Sequence, residues 1–246
     1  MTLHHHFLNS TGISTDTRKI KKDNIFFALK GDNFNGNTYA DLAIDQGASY
    51  VVIDEEQFKK DDRYILVNDV LQTLQELASF HRNYLGIPII SLTGSNGKTT
   101  TKELINAVLT KGYKTVATAG NLNNHIGVPL TLLSMSKDTE LGIVEMGANH
   151  IGEIEMLCNI AQPDYGYITN FGKAHLEGFG SEDTLDKKGI KEFEQWRKDN
   201  AEQLGYTLSG TPDVKEERDY KAEYKKFQSS TKSKKYRAEL NQYNRK

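Results

Sequence analysis

The chain has 246 residues, room for one or two domains, and its 37% hydrophobic and 26% charged residues suffice for a buried core under a polar surface. A formal net charge of -2 and a pI near 6.4 give no global basic field for nucleic acid, and the one cysteine, Cys158, excludes an internal disulfide and reads as a buried thiol in a reducing compartment. No apolar run is long enough to span a bilayer and the N-terminus lacks a signal-peptide core, so a soluble cytoplasmic protein without a membrane partner is expected.

Taken in order, residues 1–85 read as a small mixed α/β unit. His4, His5 and His6 read as a flexible polar terminus rather than a metal site. Ile25 to Leu29 is a strand that ends at Lys30-Gly31, and Thr38 to Gln46 is a helix stopped by Gly47. Tyr50 to Ile53 and Tyr64 to Val67 are strands, and Val70 to Tyr84 is a helix with Leu71, Leu74, Leu77 and Ala78 on one face. Gly86 and Pro88 separate this unit from the next.

Residues 88–181 alternate strand and helix: Ile89–Thr93, Thr115–Thr118, Leu141–Met146 and Tyr165–Thr169 are the strands. Such alternation predicts a parallel sheet with crossover helices, and ligands gather at the carboxyl ends of such strands. Lys98, Glu145 and His175 all fall there. Composition then breaks near Ser181, because residues 182–246 carry 16 Lys or Arg and 13 Asp or Glu in 65 residues. Stripes at Ile190, Phe193 and Trp196, at Tyr220, Tyr224 and Phe227, and at Tyr236, Leu240 and Tyr243 read as charged helices. The fold class expected is therefore α/β: a small mixed α/β domain over 1–85, a parallel-sheet domain over 86–181, and a helical charged tail over 182–246.

The chemistry concentrates in Thr93-Gly94-Ser95-Asn96-Gly97-Lys98-Thr99-Thr100-Thr101. An apolar strand precedes it, and a helical pattern through Leu104, Ile105, Val108 and Leu109 follows. Gly94 and Gly97 let backbone N–H groups turn inward, and the N-terminus of the next helix attracts anions. In this setting Lys98 reaches the β- and γ-phosphates of a nucleotide and the Thr99 hydroxyl ligates Mg²⁺. The spelling departs from G-x-x-x-x-G-K-[ST], since its first glycine would fall at Leu92.

These residues resemble the nucleotide loop of the Mur ligases, ATP-dependent amide-forming enzymes of peptidoglycan synthesis. Ser14-Thr15-Asp16-Thr17-Arg18, Phe26-Phe27-Ala28-Leu29-Lys30-Gly31 and the run Gly120 to Thr131 strengthen the resemblance. So do Glu145 to Ile154 and Thr169 to Ser181. The resemblance implies that ATP phosphorylates the terminal carboxylate of UDP-N-acetylmuramoyl-tripeptide. The amine of D-alanyl-D-alanine then displaces phosphate to form the amide. It implies nucleotide binding by Gly94, Ser95, Asn96, Gly97, Lys98, Thr99 and Thr100, and catalytic roles for Lys98, Glu145 and His175. Thr99 and Glu145 are expected on Mg²⁺, and His175 on a second metal. Residue type alone would make His175 a surface or capping histidine.

For the UDP substrate the resemblance points to Asp16, Thr17 and Arg18 near the UDP moiety and to Asn123 and Asn124 near the muramoyl peptide. Each has a plainer alternative: Asp16 in a turn with a surface ion pair, Asn123 and Asn124 as turn formers, and Asn149 as the N-cap of the helix after Glu145. The resemblance runs from about residue 12 to 181 and then fades. The lysine that helps hold the second metal in the family has no match, and Lys187 and Lys188 stand in different surroundings. The expectation is a monomeric ligase-type chain in truncated or fused form with impaired turnover. A non-catalytic remnant that binds nucleotide and UDP-substrate is the rival reading. A folylpolyglutamate-type ligase is a third, disfavoured by the N-terminal motifs.

Overall fold

The structure, a computed structural model, describes residues 2–170. The first half is built on a parallel sheet in the order β1 (Ile13–Ser14), β2 (Ile25–Phe27), β5 (Tyr50–Ile53), β6 (Tyr64–Leu66). A short antiparallel hairpin, β3 (Lys30–Gly31) and β4 (Phe34–Asn35), follows β2. Alternation along the strands divides the packing. Ile25, Phe27 and Val52 face the cluster under α3 (Val70–Leu85), while Phe26, Val51 and Ile53 face Ala40 and Ala43 of α2 (Ala40–Asp45). Both faces are covered, so the strands are apolar throughout rather than alternately polar.

The expected helix over 38–46 divides, because a 3₁₀ turn at Gly36–Tyr39 precedes α2. Gly47, at φ +102°, follows the helix as expected. The histidines correct a sequence expectation. Leu3–Leu8 forms helix α1 rather than a flexible terminus, with His4 and Phe7 buried. His4 Nε2 lies 3.1 Å from His81 Nδ1, and His81 Nε2 lies 3.0 Å from the Met135 carbonyl. Since a carbonyl only accepts, His81 Nε2 donates to it and its Nδ1 accepts from His4. Burial lowers the pKa of both rings.

The second half holds a parallel sheet in the order β10 (Tyr165–Ile168), β7 (Ile89–Thr93), β9 (Leu141–Glu145), β8 (Thr115–Ala117). Helices α4 (Lys98–Leu109), α5 (Gly127–Leu133) and α6 (Glu153–Ala161) connect the strands. The expected strands stand, with β8, β9 and β10 each one residue shorter. Helix α4 departs from its pattern: Leu104 and Val108 are 64% and 70% exposed, and the residue it buries is Lys102. Asn149 does not cap α6. That helix starts at Glu153, whose carboxylate accepts from the N–H groups of Asn149 and His150.

Helix α3 joins the two sheets. The Asp69 carboxylate caps it through Gln72 N–H at 2.7 Å, and Gly86, at φ +62°, ends it. One apolar cluster runs from Phe27 and Val52, through Leu74, Leu77 and Ala78 of α3, to Val128, Leu132 and Val144. Buried Arg82 adds a polar tie. Its guanidinium donates to the Ala161 and Gln162 carbonyls and pairs with Asp164 at 2.8 Å, while Asp164 also accepts from Ile89 N–H at 2.7 Å. Cys158 is buried, which pushes its thiol up to about 12. Among the described residues no helix is long and apolar enough to cross a membrane. The expected helices of 182–246 lie outside the described residues.

Candidate functional site

The carboxyl ends of β7 and β9 carry the site. Leu92 pairs with Glu145, so the loop after β7 starts beside the end of β9. The loop turns at Gly94, φ +133°, and at Gly97, φ +79°, values a side chain rarely tolerates. Helix α4 begins at Lys98, and Thr101 N–H is bonded back to the Gly97 carbonyl at 2.9 Å. The N–H groups of its first turn have no preceding helical carbonyl and lie at the positive end of the helix dipole. Lys98 folds back so that Nζ donates to the Gly94 carbonyl at 2.7 Å.

Glu145 is the centre of the arrangement. It is 1% exposed, and its Oε1 accepts from Thr99 Oγ1 at 3.2 Å and from Asn123 Nδ2 at 2.9 Å. Its Oε2 is buried with no hydrogen-bond partner among the described residues. An orphaned carboxylate oxygen is costly to bury, and such atoms call for an explanation. Mg²⁺ takes hard oxygen ligands and commonly needs only one or two carboxylates beside substrate phosphates. The Glu145 carboxylate and the Thr99 hydroxyl fit that donor set. No cluster of three or more His, Cys, Asp or Glu suited to a metal occurs among the described residues.

The supports of Glu145 come from three elements. Its N–H donates to Thr118 Oγ1 at 2.9 Å, just beyond β8. Buried Lys102 of α4 donates to the Thr118 carbonyl at 2.6 Å and pairs with Glu103 at 2.9 Å. Asn123 is itself fixed, because its carbonyl accepts from Gly147 N–H at 2.7 Å and a Cβ on Gly147 would sit 3.0 Å from its side chain.

The expected residues divide by position. Lys98, Thr99, Glu145 and Asn123 come together. Thr100 lies exposed on the first turn of α4. Ser95 and Asn96 direct their N–H groups to Asn170, at 3.1 Å to its carbonyl and 2.9 Å to its Oδ1. Asn124 Oδ1 accepts from Ile126 and Gly127 N–H and shapes the entry to α5. Asp16, Thr17 and Arg18 sit past β1, at the carboxyl end of the first sheet. There Asp16 accepts from Arg18 Nε at 2.9 Å, Nη2 at 2.8 Å and N at 3.0 Å. These bonds hold the Asp16 carboxyl down at about 2. His175 lies outside the described residues. Sequence reasoning gave no role to Lys102, Thr118, Thr169 or Asn170, although the last two head one of the motifs that carry the resemblance. Lys102 stands one turn after Lys98, and only its tertiary setting shows that it is buried.

Comparison with known proteins follows the same division. Residues 9–90 match the model described as Mur ligase family, catalytic domain, and residues 92–246 match the Mur ligase middle domain. A Bacillus subtilis protein named UDP-N-acetylmuramoyl-tripeptide--D-alanyl-D-alanine ligase is 43% identical over 176 residues, 71% of this chain and 38% of that protein. Its Escherichia coli namesake is 40% identical over 169 residues, 69% of this chain and 37% of its own length. The chain thus spans well under half the length of these curated relatives. Among solved structures, MurF from Acinetobacter baumannii superposes with a TM-score of 0.68 at 34% identity, covering 74% of this chain and 40% of that one. MurF ligase from Thermotoga maritima in complex with ADP gives a TM-score of 0.68 at 31% identity, covering 78% and 44%. With both family models matched in chain order and the phosphate loop at the head of the second, the chain belongs to the Mur ligase family.

Proposed function

We propose that this chain carries the UDP-substrate-binding and ATP-phosphate-binding parts of an ATP-dependent ligase that joins D-alanyl-D-alanine to UDP-N-acetylmuramoyl-tripeptide. The observation that carries the reading is Glu145 Oε2, without a hydrogen-bond partner among the described residues, beside Thr99 and the Lys98 loop. Residues 1–85 take the UDP substrate, through Asp16, Thr17 and Arg18, and residues 86–181 take the nucleotide. The names of the relatives and the ADP held by the Thermotoga maritima neighbour support this assignment.

In the proposed reaction a substrate carboxylate oxygen attacks the γ-phosphorus of ATP and ADP leaves. The amine of D-alanyl-D-alanine then attacks the acyl carbon, inorganic phosphate leaves, and the amine gives up a proton. Phosphoryl transfer depends on positioning and on cations that neutralise spreading charge. Lys98 exchanges the Gly94 carbonyl for phosphate oxygens. Gly97, Lys98, Thr99 and Thr100 present first-turn N–H groups to the phosphates. Thr99 and Glu145 would hold Mg²⁺, which when bound neutralises phosphate charge. Asn123 acts on Glu145, keeping Oε1 engaged and Oε2 available, while Asn124 shapes the turn beside it. His175 is proposed for a second metal on the resemblance alone.

Supplying UDP-tripeptide, D-alanyl-D-alanine, ATP and Mg²⁺ to the 246-residue chain tests the reading through pentapeptide and ADP release. The rival reading is nucleotide and UDP-substrate binding without ligation, which the same assay separates. Binding with no product would select that second reading.

A further inference from the structure

The phosphate loop is held from outside by two residues. Strand β10 runs parallel to β7 with Ile168 opposite Thr93, and the ladder continues as Thr169 N–H donates to the Thr93 carbonyl at 2.9 Å. Three further bonds then leave the ladder for the loop. Thr169 Oγ1 donates to the Asn96 carbonyl at 2.6 Å, the Asn170 carbonyl accepts from Ser95 N–H at 3.1 Å, and Asn170 Oδ1 accepts from Asn96 N–H at 2.9 Å. Gly94 lies beneath them. A Cβ there would fall 2.2 Å from Thr169 Oγ1 and 3.0 Å from Asn170 N, so its missing side chain makes room for this contact as well as for its positive φ.

The geometry points to Thr169 and Asn170 as positioning residues for nucleotide binding, a strut that fixes the loop before phosphate arrives. This rests on the nucleotide reading of the Lys98 loop. The bonds divide the loop's donors. Those of Ser95 and Asn96 go to Asn170, and those of the first turn of α4, which starts at Lys98, have no preceding helical carbonyl and are assigned to phosphate. Each of its two glycines has more backbone freedom to lose than any other residue, and ordering the loop in advance removes that cost from binding. Asparagine suits the post because its short side chain offers a second carbonyl beside its own backbone carbonyl, so that successive N–H groups are met by one residue. Aspartate would offer the same acceptor but would bring a negative charge to an anion site.

The test compares wild type with Asn170→Ala, Asn170→Asp and Thr169→Val. Amide exchange at Asn96 is read without nucleotide, and affinity for ADP with Mg²⁺ is read by titration. Asn170→Ala is expected to speed Asn96 exchange and to weaken ADP by about 10-fold, the loss of one well-placed bond and of the ordering it gives. Asn170→Asp should restore slow exchange at Asn96 yet still bind ADP more weakly than wild type. Thr169→Val should weaken ADP by a smaller factor in the same direction. Unchanged exchange in Asn170→Ala, or faster exchange with wild-type affinity, overturns the strut. A wild-type chain that binds no ADP overturns the nucleotide reading instead, and the exchange comparison then decides by itself whether Asn170 holds the loop.

Discussion

Glu145→Gln should raise the stability of the ligand-free protein while removing its response to Mg²⁺ and nucleotide. The carboxylate is 1% exposed, and among the described residues Oε1 accepts two bonds and Oε2 none. A buried polar group without a partner costs about 1–3 kcal/mol, and a charged one more. Glutamine keeps the oxygen that meets Thr99 and Asn123 and removes the charge. Its amide then stands where Oε2 was, itself short of acceptors, so only part of the cost is recovered. A net gain of about 1 kcal/mol is expected, or about 2–4 °C in Tm for a domain of this size. Saturating ligand reverses the order. At 100 times its Kd a ligand stabilises by about 2.7 kcal/mol, and the variant should lose most of that if Glu145 holds the metal. Thermal melts of both proteins, with and without Mg²⁺ and ADP, read the two effects together. A variant that melts well below wild type without ligand, or that gains as much from Mg²⁺ and ADP, would show that Glu145 is a structural carboxylate.

Lys98→Ala should leave Tm nearly unchanged, since its ammonium bonds one loop carbonyl, and should weaken ATP by about 10- to 100-fold, the worth of a charged hydrogen bond. Isothermal titration checks this. Arg82→Ala should cost about 3–5 kcal/mol in urea denaturation, because it leaves Asp164 and two helix-end carbonyls behind without their cation. A loss under about 1 kcal/mol would mean that Arg82 does not tie α3 to the second sheet. Stability should also fall as pH drops from 7.5 to 5.5. Burial depresses the His4 and His81 pKa values, so the folded state resists protonation that the unfolded state accepts from about 6.5 downward. The stability is present above that point and is lost as pH falls toward the depressed values. Ordinary carboxylates titrate at about 4, below this window, so a urea midpoint indifferent to pH there would contradict the buried histidine pair.

The strands of the second half were legible because each is a short, largely apolar run bounded by glycine, proline or a charged turn. The site was legible where chemistry and chain order coincide: Lys98 and Thr99 follow one strand, and Glu145 ends another. What the sequence hid lies in tertiary contact. His4 is polar by type, yet α1 buries it because His81 supplies an acceptor and that ring in turn meets Met135. Leu104 and Val108 continue the periodicity of α4 but stay exposed, while Lys102, which breaks it, is buried against Thr118. Asn170 stands 74 positions from Asn96, and no local pattern announces that its amide meets the loop.

The central claim is that the Lys98 loop and Glu145 form a Mg²⁺-dependent nucleotide site in this chain. Titration of the 246-residue protein with ATP, once with Mg²⁺ and once with chelator, tests it most directly. The account predicts binding that strengthens at least about 10-fold with Mg²⁺, a difference of about 1.4 kcal/mol, and that Lys98→Ala weakens under both conditions. Binding indifferent to Mg²⁺ and to Lys98, or no binding by a folded chain, would contradict it.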